Sequence, residues 1–214
     1  MKHWTLLLAA AIAAHTLSPT MAFAADKAAS PPTNAADKAA SAPGYRVGDK
    51  LSPAGKASAK AGDFKLTEWD ALMPKDWDPM KGVNVLSLGR MQDGDPQATA
   101  ALERLKRSWD TAPTEPAMDN TRIRIAGFVV PLDAEGETLH EFLLVPYFGA
   151  CIHTPPPPAN QVIHVTLATP AKGIRMMDAI WVSGELHTAI SDTAMGTSGY
   201  RMDGQAVSLY QGKR

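Results

Sequence analysis

A mainly β fold with one or two helices is what this 214-residue sequence predicts. Three observations carry the expectation. Apolar residues alternate with period two through most of the chain after Thr121. Gln97 to Trp109 shows the helical period most clearly. Gly, Pro and Asp punctuate the alternating runs at short intervals. Five or six short strands following one helix fit a small OB-like β-barrel.

Taken in order, residues 1–24 read as a secretory signal peptide. Lys2 supplies the positive start, Leu6–Ala14 is an apolar run, and Ala22-Phe23-Ala24 gives a small-x-small cleavage pattern. The mature chain is then expected to begin at Ala25 and, in a Gram-negative host, to reside in the periplasm. No cysteine follows the apolar run, so no lipid anchor is expected. Residues 25–62 read as a tether. AADKAAS occurs twice, and Ala, Ser, Lys, Pro and Gly leave too little apolar surface to offset ordering entropy. A single globular domain is expected over residues 63–214.

Within that domain Phe64–Met73 offers apolar anchors and a short helix stopped by Pro74. The Gln97–Trp109 helix has Pro96 at its mouth and Ala98, Leu102, Leu105 and Trp109 on one face. Ile123, Ile125, Phe128 and Val130 mark the first long strand. Glu141–Pro146, Gln161–Ala168, Ala179–His187, Gly199–Met202 and Ala206–Tyr210 are the others expected.

Composition removes several functions. Lys and Arg number 21 against 22 Asp and Glu, a net charge of −1. The leader's +1 and the tether's +3 leave −5 for residues 63–214, so no basic surface for nucleic acid is expected. No apolar run approaches the roughly 20 residues of a membrane span, and stable membrane insertion is not expected. The single cysteine, Cys151, cannot form an internal disulfide. In an oxidising compartment a lone thiol must be buried, metal-bound or chemically used.

One stretch departs from generic β sequence: Val145-Pro146-Tyr147-Phe148-Gly149-Ala150-Cys151-Ile152-His153-Thr154, then Pro155, Pro156, Pro157, Pro158, Ala159, Asn160 and Gln161. Four prolines impose a stiff polyproline II segment. In an extended chain Cys151 and His153 point to one side. Thiolate and imidazole together suit zinc or copper. His164 and His187 are the histidines that complete such a site if their strands flank the loop, with Asp178, Glu185 and Asp192 as oxygen donors.

LVPYFGACIHTPPPPANQ, with the preceding IRIAGFVVPLD and the following IWVSGEL, resembles the bacterial domain-of-unknown-function family 3299 over roughly residues 64–212. The resemblance implies a secreted protein, often an accessory of ABC-transporter gene clusters and in some cases linked to zinc supply. It carries over to Gly149, Cys151, His153, Pro155 to Pro158, Asn160 and Gln161; Ala159 stands where another proline is expected. It implies location and context, not a reaction.

Three functions therefore stand open. The first is a metal site at Cys151, His153, His164 and His187, zinc first and copper as the alternative, serving an ABC-transporter permease or another periplasmic partner. Copper(I) draws on the methionines, of which only Met176 and Met177 are adjacent. The second is a non-catalytic docking module, in which Tyr147, Phe148 and the prolines form the surface and Cys151 is structural. The third makes Cys151 a nucleophile, His153 or His164 its base and Asn160 the orienting group, without any established hydrolase signature.

Overall fold

The alternating segments do form strands in the computed structural model, which describes residues 44–52, 63–81, 95–133, 138–151 and 156–211. A two-residue β1 (Lys65–Leu66) is followed by helix α1 (Pro96–Asp110) and five longer strands. These are β2 (Thr121–Pro131), β3 (Thr138–Val145), β4 (Ile163–Lys172), β5 (Ala179–Thr193) and β6 (Gly196–Leu209). β2 pairs antiparallel with β3 at its C-terminal end and with β5 along the rest. β3 and β4 are antiparallel, β4 and β6 parallel, β6 and β5 antiparallel. The pairings run β2-β3-β4-β6-β5 and return to β2, so five strands close a ring, the arrangement expected of a small OB-like barrel. β1 lies parallel to β2.

Period two sorts the strands' side chains. Val129, Phe142, Leu144, Ile163, Val165 and Met202 face one cluster and are fully buried. Their neighbours Phe128, Val130, Leu143, Val145 and Val162 face a second, separate cluster. That second cluster holds the segment around Cys151, and both faces of β2 and β3 are therefore covered.

Several boundaries differ from the sequence reading. Gly199–Met202 and Ala206–Tyr210 belong to one continuous strand, β6, which runs through Gly204. A Cβ there would lie 2.7 Å from Leu167 Cδ2, so this glycine marks close strand packing and not a break. β5 continues past His187 to Thr193 as one arm of a hairpin. The N-cap Asp95 accepts a 2.8 Å hydrogen bond from Gln97 N, ahead of Pro96. On α1 the half-buried face is Ala98, Ala101, Leu105 and Trp109, whereas Leu102 is 57% exposed.

Gly44–Ser52, inside the segment read as a tether, is structured. Tyr45 meets Phe128 edge-on at 5.2 Å and stacks on Phe148 at 6.0 Å. Tyr210 Oη donates to Ser52 O at 2.6 Å. The leader and the remainder of the tether lie outside the described residues.

Gly184 allows the closest approach in the ring. A Cβ there would sit 2.5 Å from Asp203 O and 2.9 Å from Met202 Cγ. A ladder oxygen cannot swing aside as a side chain can. Gly184→Ala is expected to cost about 1–3 kcal/mol, seen as a lower urea midpoint with an unchanged slope.

Candidate functional site

The Cys151 loop follows directly from β3. Tyr147 bridges to Lys50, Phe148 N donates to Asp49 O at 2.9 Å, and Gly48 N donates to Phe148 O at 2.9 Å. The chain then reverses through two left-handed residues, Gly149 (φ 85°) and Cys151 (φ 66°). Glycine adopts that conformation freely; cysteine does so at a cost of about 1–2 kcal/mol. Such strain persists only where the surroundings enforce it, and it gathers at functional sites.

The cluster against which Cys151 packs is apolar and holds three methionines. Cys151, Met176 and Met195 each pack against the edge of the second cluster, whose interior includes Phe148, Ala150 and Met177. Met177 Sδ accepts a hydrogen bond from Gly149 N at 3.2 Å. Burial pushes the Cys151 thiol up to about 11. At neutral pH it stays protonated, the reverse of the depressed thiol that a cysteine nucleophile needs.

The described prolines are packed into the fold. Pro157 is buried, Pro156 and Pro158 half-buried, and Phe148 only 2% exposed. The β5–β6 hairpin tip lies against Pro156: a Cβ on Gly196 would lie 3.2 Å from Pro156 Cβ. Ala159–Gln161 forms a single 3-10 turn. From it Asn160 Nδ2 donates to Pro113 O at 2.8 Å and Gln161 Nε2 to Trp69 O at 3.0 Å. Both side chains thus tie the turn to distant segments. His153 and Pro155 lie outside the described residues.

The other two candidate ligands, His164 and His187, occupy one row of the sheet. Arg201 of β6 pairs with His164 on one side and His187 on the other. Their backbones are therefore two strand spacings apart, roughly 9–10 Å, with a cationic residue between them. His164 Nε2 lies 2.6 Å from Glu141 Oε1, and its Nδ1 lies 3.2 Å from Ser191 Oγ. His187 Nδ1 lies 3.0 Å from Asn120 Oδ1. Its Nε2 is 3.3 Å from Asp203 Oδ2, off the line of a hydrogen bond. Nearby, Thr188 N donates to Asp119 and, as the main cause, holds that carboxyl below its usual range. Both imidazoles are thus engaged by side chains of the sheet and its loops. Among the described residues no group of three or more His, Cys, Asp or Glu is arranged to hold a metal ion.

The family model described as "Protein of unknown function (DUF3299)" matches residues 69–209. The chain belongs to the DUF3299 family. A crystal structure of a DUF3299 family protein from Pseudomonas aeruginosa PAO1 is similar, with 30% identity and a TM-score of 0.56. The match covers 72% of this chain and 100% of that one. No curated protein matches the chain. The DUF3299 match begins at Trp69, whose Nε1 donates to Ala126 O of β2 at 2.7 Å.

In this DUF3299 protein the residues that bond His164 are distant from it in sequence. Glu141 comes from β3 and Ser191 from the far end of β5. Neither stands near His164 in sequence, and only the strand register brings them together. Of the methionines in the same cluster as Cys151, Met176 and Met177 are adjacent in sequence, whereas nothing in the sequence marks Met195.

Proposed function

We propose that this chain is an exported accessory protein that binds a soft transition-metal ion at the Cys151 loop as cargo for an ABC-type transporter. One observation carries the reading. The only thiol shares a cluster with three thioethers, Met176, Met177 and Met195, and Met177 sulfur is hydrogen-bonded to the loop backbone itself. Thiolate and thioether together suit copper(I); zinc favours thiolate, imidazole and carboxylate. The described residues therefore fit copper(I) better. Zinc draws on His153 beside Cys151, with a further ligand. Shielding by the cluster also answers the hazard of a lone thiol in the periplasm, where the mature chain would begin at Ala25.

Binding must displace the thiol proton. With that proton held up to about 11, affinity is expected to rise roughly tenfold per pH unit below that value and to fall on acidification. The test is competitive titration with zinc and with copper(I), on protein from an osmotic-shock fraction whose first residue is read by N-terminal sequencing. Wild type is compared with Cys151→Ser, His153→Ala and Met177→Leu, each shown to be folded. Cys151→Ser should weaken binding more than tenfold; Met177→Leu should weaken copper(I) selectively, and His153→Ala zinc selectively. Equal, negligible binding of both metals by wild type and variants would eliminate the reading and leave a docking module with a structural cysteine.

A further inference from the structure

Three side chains that the Cys151 reading does not use meet on the outward side of the ring. Glu141 stands on β3, His164 on β4 and Ser191 on β5 near the hairpin tip. Glu141 Oε1 is 2.6 Å from His164 Nε2, and Ser191 Oγ is 3.2 Å from His164 Nδ1. The His164 side chain is only 15% exposed and that of Glu141 40%, so water is partly excluded while one side stays open. A carboxylate can only accept. Nε2 therefore carries a proton, and in the neutral form of the ring Nδ1 is left bare to accept from the Ser191 hydroxyl. Carboxylate, imidazole and hydroxyl are thus polarised in the order that activates a serine: orienting group, base, nucleophile.

The backbone is irregular at two of the three positions. The β3–β4 register shifts between Leu139 and Glu141. The β5–β6 register shifts between Thr188 and Ser191, so that Ser191 comes opposite Ser198. Bulges of this kind re-aim side chains and recur beside active sites. The position agrees with the fold: in OB-like rings the second and third strands, here β3 and β4, and the loop between the last two strands form the ligand face.

We propose that Glu141, His164 and Ser191 form an acyl-transfer site with Ser191 as nucleophile, acting on small carboxylic esters. Ser191 Oγ adds to the carbonyl carbon as its O–H bond breaks and the proton passes to His164 Nδ1. The bond from carbon to the leaving oxygen then breaks, its electron pair departs with that oxygen, and Nδ1 returns the proton to it as an alcohol. Water repeats the sequence on the acyl-serine, releases the carboxylic acid and restores the hydroxyl. Glu141 is a positioning residue, fixing the tautomer and balancing the charge on the imidazolium.

The test treats the purified protein with a fluorophosphonate probe and, separately, with p-nitrophenyl acetate. Peptide mass spectrometry of labelled wild type should place the probe on Ser191, a readout independent of how any variant folds. Ser191→Ala should abolish labelling and lower ester turnover by about 10²–10⁴-fold, while Ser108→Ala on the exposed face of α1 behaves as wild type. Glu141→Gln should slow labelling, and Glu141→Asp restore part of it. Absence of labelling in folded wild type, labelling at another residue, or turnover equal in wild type and Ser191→Ala would overturn the proposal. None of these outcomes bears on metal binding at Cys151.

Discussion

Phe148→Ala is expected to destabilise the protein by about 3–5 kcal/mol and to open Cys151 to thiol reagents. Phe148 is 2% exposed and lies three residues before the thiol. Its ring meets Phe128 edge-on at 5.6 Å and stacks with Tyr45 at 6.0 Å. Its backbone, bonded to Gly48 and Asp49, holds the N-terminal segment against the loop. Truncation leaves a cavity that these neighbours can fill only by shifting, and that movement would loosen the cluster shielding Cys151. Urea unfolding measures the first effect and the rate of reaction with a disulfide reagent in native buffer the second. A variant that stays as stable as wild type with an equally slow thiol would show that the second cluster does not hold the loop.

Tyr200→Phe is expected to cost about 1–3 kcal/mol for the buried Leu72 carbonyl left without its partner, with a smaller addition from the part-buried Glu115 N–H. Tyr200 is fully buried. Its hydroxyl donates to Leu72 O at 2.7 Å and accepts from Glu115 N at 2.7 Å, so one oxygen joins the segments before and after α1 to β6. Burial pushes this phenol from 10.0 up to about 12. Below pH 10 folded and unfolded chains both keep the proton. Between about 10 and 12 the unfolded chain releases it first, so stability falls as pH rises through that window. Alkaline unfolding curves should show this loss in wild type, and the phenylalanine variant should show less of it. An identical alkaline limb in both proteins would remove Tyr200 from this role.

The strands were legible because alternation is written residue by residue. Val129 faces one cluster and Phe128 and Val130 the other, as period two requires. Gly204 misled the strand count because a glycine at a turn and a glycine at a tight strand contact look alike in sequence; only the neighbour, Leu167, distinguishes them. Gly44–Ser52 looks like tether in sequence because three apolar side chains, Tyr45, Val47 and Leu51, are diluted by low-complexity residues around them. Their docking depends on a surface made by Phe128 and Phe148, far along the chain. On α1, helical spacing placed Leu102 on the buried face, but the amphipathic stripe that packs runs through Ala101 instead. Spacing defines a stripe's width, and the neighbour decides which side of it is covered. The site divides the same way. Cys151 and its small, stiff neighbours are local in sequence and were found. Glu141 and Ser191 converge on His164 only through register, which no single segment encodes.

The parallel pairing of β4 with β6 also sets the order in which the chain can assemble. The β5–β6 hairpin is local and can zip on a microsecond scale. No hairpin can nucleate the β4–β6 contact, nor that between β2 and β5, because each joins strands separated by other elements. Loop entropy must be lost before either contact contributes, which places ring closure among the slow, milliseconds-to-seconds events of non-local β folds. Until closure, β4 and β5 each keep an unpaired edge able to recruit another chain. Refolding yield is therefore set by a race between closing the ring and meeting a neighbour, and dilution favours the ring.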